Sequence, residues 1–158
     1  MFDPDKDGII ARAAASPMRR GFACAVLYGL GGLLIYIALA QPPAMIWIIF
    51  LIGFGAAVLF LAHRMRQATT VALELTQDTL RDDRGRVLAQ LDQVRSVERG
   101  AFALKPSNGF TLVMHDKAPA AWQPGLWWRM GRRVGVGGTL SSGPAKFMAE
   151  QIALRIAR

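Results

Sequence analysis

The hydrophobic pattern divides the chain into three parts. Residues 21–62 contain no Asp, Glu, Lys, Arg or His, and Pro42 and Pro43 split this run almost in half. Each half holds about 20 apolar residues, which at about 1.5 Å rise span a hydrocarbon core of about 30 Å. The pattern predicts a transmembrane hairpin with one helix over residues 21–40 and a second over 43–62. A leader, residues 1–20, precedes it, and a domain, residues 63–158, follows it. The apolar run is too long for the core of a secretory signal, and a second span follows at once.

Beyond the hairpin the period changes. Thr69 to Thr76 alternates in the manner of a strand. Asp82-Asp83-Arg84-Gly85 sits between the strand-like Thr79-Leu80-Arg81 and Arg86-Val87-Leu88-Ala89, as the turn of a β-hairpin does. Val94 to Val97 reads as a further short strand. Lys105 to Gly109 reads as a second turn, between strands Ala101–Leu104 and Phe110–Met114. Ala118 to Trp128, rich in Pro and Trp, reads as a loop, and Arg132 to Val136 as a last strand. Ser142 is placed to cap a helix with Pro144 in its first turn, over residues 144–158. Met148, Ile152 and Ile156 mark its apolar face, and Lys146 and Glu150 can pair on the other side. In the leader, Ala11 to Ala15 reads as a short helical lead-in ended by Ser16-Pro17. The expected fold class is α+β: a two-helix membrane hairpin, then a small antiparallel β-rich domain closed by a C-terminal amphipathic helix.

Charge sets the orientation. The net charge of +8 is uneven: residues 1–20 carry four basic and three acidic groups, and residues 63–158 carry fifteen and eight. Arg19 and Arg20 flank the first helix, His63, Arg64 and Arg66 flank the second, and the turn at Gln41-Pro42-Pro43 is uncharged. The positive-inside rule then places both chain ends in the cytoplasm, with Tyr36 and Trp47 at the outer interface. The +7 domain is expected to face an anionic inner leaflet. Nucleic acid, the other usual partner of a basic domain, is not expected, because the bilayer is already at high local concentration.

Small residues recur along the helices: Gly21, Ala25, Gly29 and Gly32 on the first, Gly53 and Ala57 on the second. Such ridges let backbones approach closely, here within the hairpin or against a partner helix. No ionisable group lies mid-membrane apart from the thiol of Cys24 and the phenols of Tyr28 and Tyr36, so transport by this chain alone is not expected.

Catalytic and cofactor signals are sparse. Asp3-Pro4-Asp5-Lys6-Asp7-Gly8 matches the first half of a calcium loop, but Ala14 stands where the bidentate Glu belongs. Gly135-Val136-Gly137-Gly138 has the glycines of a phosphate loop without its third Gly or its Lys-Ser/Thr pair. His115 and Asp116 are neighbours on a strand and should point to opposite faces. His63 and His115 lack the spacing of a metal site, and one cysteine excludes an internal disulfide. No catalytic, cofactor or metal residues are expected. The combination that stands out is Trp127, Trp128, Arg129, Arg132 and Arg133, with Trp122 and Met130 nearby. Tryptophans beside arginines suit a lipid headgroup region or a protein contact.

Leu73-Glu74-Leu75-Thr76 with Thr79-Leu80-Arg81, Leu91 to Glu98, and Gly143-Pro144-Ala145-Lys146-Phe147-Met148 resemble the opening strands, a following strand and the final-helix entry of the bacterial pleckstrin-homology-like membrane proteins. The whole chain is also similar to small membrane proteins of alphaproteobacteria. The resemblance implies a partly open barrel that binds proteins or lipids and carries no catalytic residues. The expected function is that of a non-enzymatic accessory or scaffold protein of the bacterial inner membrane. The alternative is a supernumerary subunit of a respiratory or photosynthetic complex. The partners would be the anionic leaflet and a membrane protein or a second copy of the chain.

Overall fold

A computed structural model describes residues 8–100 and 106–157. The Asp-rich half-loop at residues 3–7 and the strand expected at 101–104 lie outside the described residues. The chain forms two compact units: a helical pair, residues 17–67, and a β-rich unit built from the leader together with everything after the pair.

The helical pair is α1 (Pro17–Ala40) and α2 (Met45–Ala68), each of 24 residues and each long and apolar enough to cross a membrane. Pro17 opens α1 at the position where its missing N–H costs nothing. Both helices run past the charge-free stretch, so Arg19, Arg20, His63, Arg64 and Arg66 are helical. Phe22, Ile46, Ile49 and Phe60 are 73, 71, 64 and 65% exposed, which suits a hydrocarbon solvent rather than water.

Gly31 and Gly55 bring the two helices together. A Cβ on Gly31 would lie 2.7 Å from Leu59 Cγ and 3.0 Å from the Gly55 carbonyl, and one on Gly55 would lie 2.8 Å from Ile35 Cγ1. Gly31 and Gly55 are buried, as are Ala38 and Ala62. The ridge read from the sequence is a different one: Gly21, Ala25, Gly29, Gly32, Gly53 and Ala57 are all exposed. A Cβ on any of its four glycines would meet nothing within 4 Å. Recurrence at a spacing of four finds a smooth face but not the face that its own hairpin partner uses.

The β-rich unit starts before the helices. Its first strand, β1 (Ala11–Ala13), lies in the leader, where a helical lead-in was expected. After α2 come β2 (Leu73–Leu75), β3 (Thr79–Asp82) and β4 (Val87–Gln90). These form one antiparallel sheet in the order β1-β2-β3-β4. A 3₁₀ turn at Leu91–Gln93 leads into the second sheet, β5 (Val94–Glu98), β6 (Phe110–Gln123) and β7 (Trp127–Val136), in that order. The final helix, α3 (Ser142–Ile156), begins after Ser141, one residue before the expected cap. No continuous ladder closes the described strands into a barrel.

The leader ties the unit together from both sides. Ala11, Arg12 and Ala13 pair with Leu75, Glu74 and Leu73, and the Ile10 N–H donates to the Leu75 carbonyl at 2.7 Å. A few residues on, Ala15 bridges Leu140, the Ser16 N–H donates to the Thr139 carbonyl at 2.7 Å, and the Ser141 N–H donates to the Ala14 carbonyl at 3.2 Å. Alanine favours helix, but pairing with β2, the bonds of the next residues to the Thr139–Ser141 segment and complete burial of Ala13 override that small preference. Six described strands follow the hairpin, and the seventh is supplied from before it. Between the sheets lies one core around Leu73, Leu80, Leu112, Val134, Met148 and Ile152, each 0% exposed. The Asp82 turn forms as expected: the buried Asp82 carboxylate accepts from the backbone N–H of Arg84 at 3.1 Å and of Arg86 at 2.7 Å. Glu150 pairs with Arg99 at 3.8 Å rather than with Lys146.

Two substitutions test this architecture. Ala13→Asp places an unpaired charge in the core and should destabilise the β-rich unit by at least about 3 kcal/mol, read as early proteolysis of that unit. Gly31→Leu should separate the helical pair, an overpacking cost of about 1–3 kcal/mol, whereas Gly29→Leu should leave thermal unfolding in detergent unchanged.

Candidate functional site

The segment 118–128, expected as a loop, is the outer part of a long bent hairpin. β6 and β7 pair as far as Val113 with Arg133, and next at Ala118 with Gly131. Met114–Lys117 of β6 thus face the single Arg132 of β7, a large bulge that bends the ladder. A second irregularity precedes Ala121 paired with Arg129, and Trp122 then pairs with Trp128. The tip folds back onto the end of β7. The Gly137 N–H donates to the Leu126 carbonyl at 2.8 Å, and the Thr139 N–H and Oγ1 both donate to the Gly125 carbonyl, at 2.9 and 2.8 Å. Gly138, at φ +90°, is the seat: a Cβ there would lie 2.8 Å from the Gly125 carbonyl. A Cβ on Gly135 would run into the Trp128 indole. The glycine run that resembles a phosphate loop is therefore a surface on which this hairpin rests.

This folding back sorts the five residues expected to form a contact surface. Trp127 is 2% exposed and belongs to the core, so it cannot meet a lipid or a partner. Its Nε1–H donates to Gln123 Oε1 at 3.0 Å, and the Arg86 guanidinium lies 5.0 Å from its ring centroid. Arg129 serves the hairpin itself: Nε donates to the Pro119 carbonyl at 2.9 Å and Nη1 to the Leu88 carbonyl at 3.5 Å. Arg133 pairs with Glu98 at 3.6 Å, and Trp128 is half-buried over Gly135. Arg132 is exposed. Beside it, Met130 is 70% and Trp122 is 60% exposed. The exposed face of the hairpin is thus Trp122, Trp128, Met130 and Arg132, with Lys117 at the bulge. Trp127, expected on the contact surface, is instead the buried anchor of the hairpin.

A second feature carried no signal in any contiguous run. A groove of about 1130 Å³ is lined by the β2–β3 turn (Gln77, Asp78, Thr79), the crossing from β4 to β5 (Gln90, Leu91, Asp92, Val94), His115 on the β6 bulge, Gln151, Arg155 and Ile156 of α3, and Ile9 and Ile10 of the leader. Its walls are fixed by backbone bonds. The Leu91 N–H donates to the Asp78 carbonyl at 2.8 Å, and Thr76 Oγ1 accepts from the Thr79 N–H at 3.0 Å. Among the described residues no three His, Cys, Asp or Glu side chains gather as metal ligands.

No protein-family model, curated protein or solved structure matches the chain.

The two tryptophan environments predict different outcomes. Trp127→Ala should destabilise the β-rich unit by about 3–5 kcal/mol, whereas Trp122→Ala should change its stability by less than about 0.5 kcal/mol. Chemical denaturation of the two variants, followed by circular dichroism, checks this.

Proposed function

We propose that the chain is a membrane-anchored accessory or scaffold protein of the bacterial inner membrane, without catalytic activity of its own, whose small β-rich domain is a binding module. The observation that carries this reading is the hydrogen-bonded pairing of β1 with β2 across two apolar helices. Strands that pair must lie on one side of a bilayer, so helices inserted between them must cross it an even number of times. The basic flanks at Arg19, Arg20, Arg64 and Arg66 support the cytoplasm as that side. The order of four strands, then three, then a closing helix supports reading the domain as the partly open barrel that the resemblance to pleckstrin-homology-like membrane proteins implies. The exposed Trp122, Met130 and Arg132 give the module a face suited to an anionic leaflet or a protein.

The test is a topology map of the full chain. A phosphatase that is active only outside the cytoplasm should work when inserted between Pro42 and Pro43, and should be inactive at either end. Activity at an end, or release of the protein by alkaline carbonate, would overturn the reading. In nanodiscs, brominated anionic lipids should quench tryptophan fluorescence less in Trp122→Phe than in the parent; equal quenching would remove Trp122 from the leaflet face.

A second reading, a small subunit of a larger respiratory or photosynthetic complex, is favoured by the ridge that the hairpin leaves open. Gly29→Leu should release the protein from such a complex without disturbing the helical pair, because a Cβ there meets nothing within 4 Å. Co-purification and native-gel migration, compared for parent and variant, check this.

A further inference from the structure

The acidic residues of the β-rich unit are unevenly used. Glu74 pairs with Arg81 at 3.4 Å, Asp83 with Arg12 at 3.7 Å, Glu98 with Arg133 at 3.6 Å and Glu150 with Arg99 at 3.8 Å. Asp82 is taken up by two backbone N–H groups. Among the described residues three acidic side chains are left: Asp78, Asp92 and Asp116. Two of these line the groove, and the third follows His115, which also lines it. In a domain of net charge +7, two of these carboxylates, Asp78 and Asp92, share one concave surface.

The rest of the lining narrows the ligand. Ile9, Ile10, Leu91, Val94 and Ile156 offer aliphatic surface, with Leu91 and Val94 only 7 and 4% exposed. Gln77, Gln90 and Gln151 bring amides, which donate and accept as a peptide backbone does. Among the described lining residues Arg155 is the one with a fixed positive charge, and its Nη1 is drawn back onto Gln151, to the carbonyl at 2.8 Å and to Oε1 at 3.2 Å. Asp78 and Asp92 are held near each other, because the Asp78 carbonyl accepts from the residue before Asp92. Their carboxylates attract a cationic segment that enters the groove. They also repel phosphate, which disfavours nucleic acid and lipid headgroups here.

We infer that this groove is a docking site for an extended peptide segment of a partner protein in which basic side chains alternate with aliphatic ones. The basic side chains reach Asp78 and Asp92, the aliphatic ones cover the Leu91 and Val94 floor, and the glutamine amides meet the peptide backbone. A volume of about 1130 Å³ accommodates a few residues of such a chain. This names a partner class for the binding module proposed above and rests on that reading for where the partner is met.

The experiment uses the full chain in nanodiscs of neutral phosphatidylcholine and a capped, fluorescein-labelled peptide alternating valine with lysine. Saturable binding is expected in fluorescence anisotropy, weakened about tenfold or more by Asp78→Asn/Asp92→Asn, a change of about 1.4 kcal/mol or more. Both positions are exposed, so circular dichroism of the variant should match the parent. Glu150→Gln, outside the groove, should leave the affinity unchanged. A valine–glutamate peptide should not bind. Equal affinity for the double variant, or no saturation by the valine–lysine peptide, overturns the site. Spermine binding as tightly as the peptide overturns the peptide assignment. Failure of the topology map would strike the anchored reading alone, since peptide binding is measured separately.

Discussion

The β-rich unit depends on a strand that belongs to it in space but not in sequence. β1 is three residues long and would not persist alone in water. It holds because β2 pairs along its one bonded edge and because the leader residues that follow it, Ala14 to Ser16, bond to the Thr139–Ser141 segment. It therefore joins the start of the first sheet to the link between β7 and α3. The pairing brings residue 13 beside residue 73 across the whole helical insert. The entropic cost of closing an insert rises only slowly with its length, and an insert already folded as a helical pair brings its own ends together. The slower consequence is kinetic. Contacts between the leader and Leu140 cannot form until about 125 further residues have been made, so the leader waits long for this partner. A membrane-inserted chain with the wrong number of spans could not complete the unit at all.

This constraint explains what was legible in the sequence and what was not. A charge-free run announces a pair of long apolar helices, because no other arrangement of 42 such residues is common. The turn at Asp82–Gly85 was legible because the residues that make it also carry its hydrogen bonds. So was the face of α3, where Met148 and Ile152 are fully buried. The leader strand was not legible: Ala11-Arg12-Ala13 becomes extended only through partners about 60 and about 130 residues away, and local propensity contains neither. The groove was hidden for the same reason, being assembled from five separate segments.

The aromatic stretch failed in a more instructive way. Pro and Trp between residues 118 and 128 break the local pattern, so the stretch reads as a loop with an exposed aromatic cluster. In the fold, bulges absorb the extra residues and carry the tip back over Gly138, so Trp127 enters the core while Trp122 stays outside. One signal could have separated the two. Gln123 and Trp127 are spaced to close a short turn around Pro124-Gly125, and a buried indole N–H needs an acceptor of that kind. Trp122 has no such neighbour and stays in solvent. The glycines at 135 and 138 mark the other half of the same contact, where backbone and ring approach too closely for any side chain.

The two surfaces that result differ in charge and in construction. The hairpin face offers Trp122, Met130 and Arg132 on a convex arm, while its other arginines are consumed by Pro119, Leu88 and Glu98. The groove offers carboxylates and amides on concave walls held by main-chain bonds. A single binding surface could be explained by one partner or by the leaflet alone. A basic apolar arm and an acidic groove on one small domain are matched by two different surroundings, an anionic surface and a cationic segment. Opposite signs also keep the two from being interchangeable: on the proposed reading, an anionic leaflet would attract Arg132 and repel Asp78 and Asp92, which would leave the groove to a cationic segment. That division suits the membrane scaffold proposed above, and it follows from where the fold places its charges.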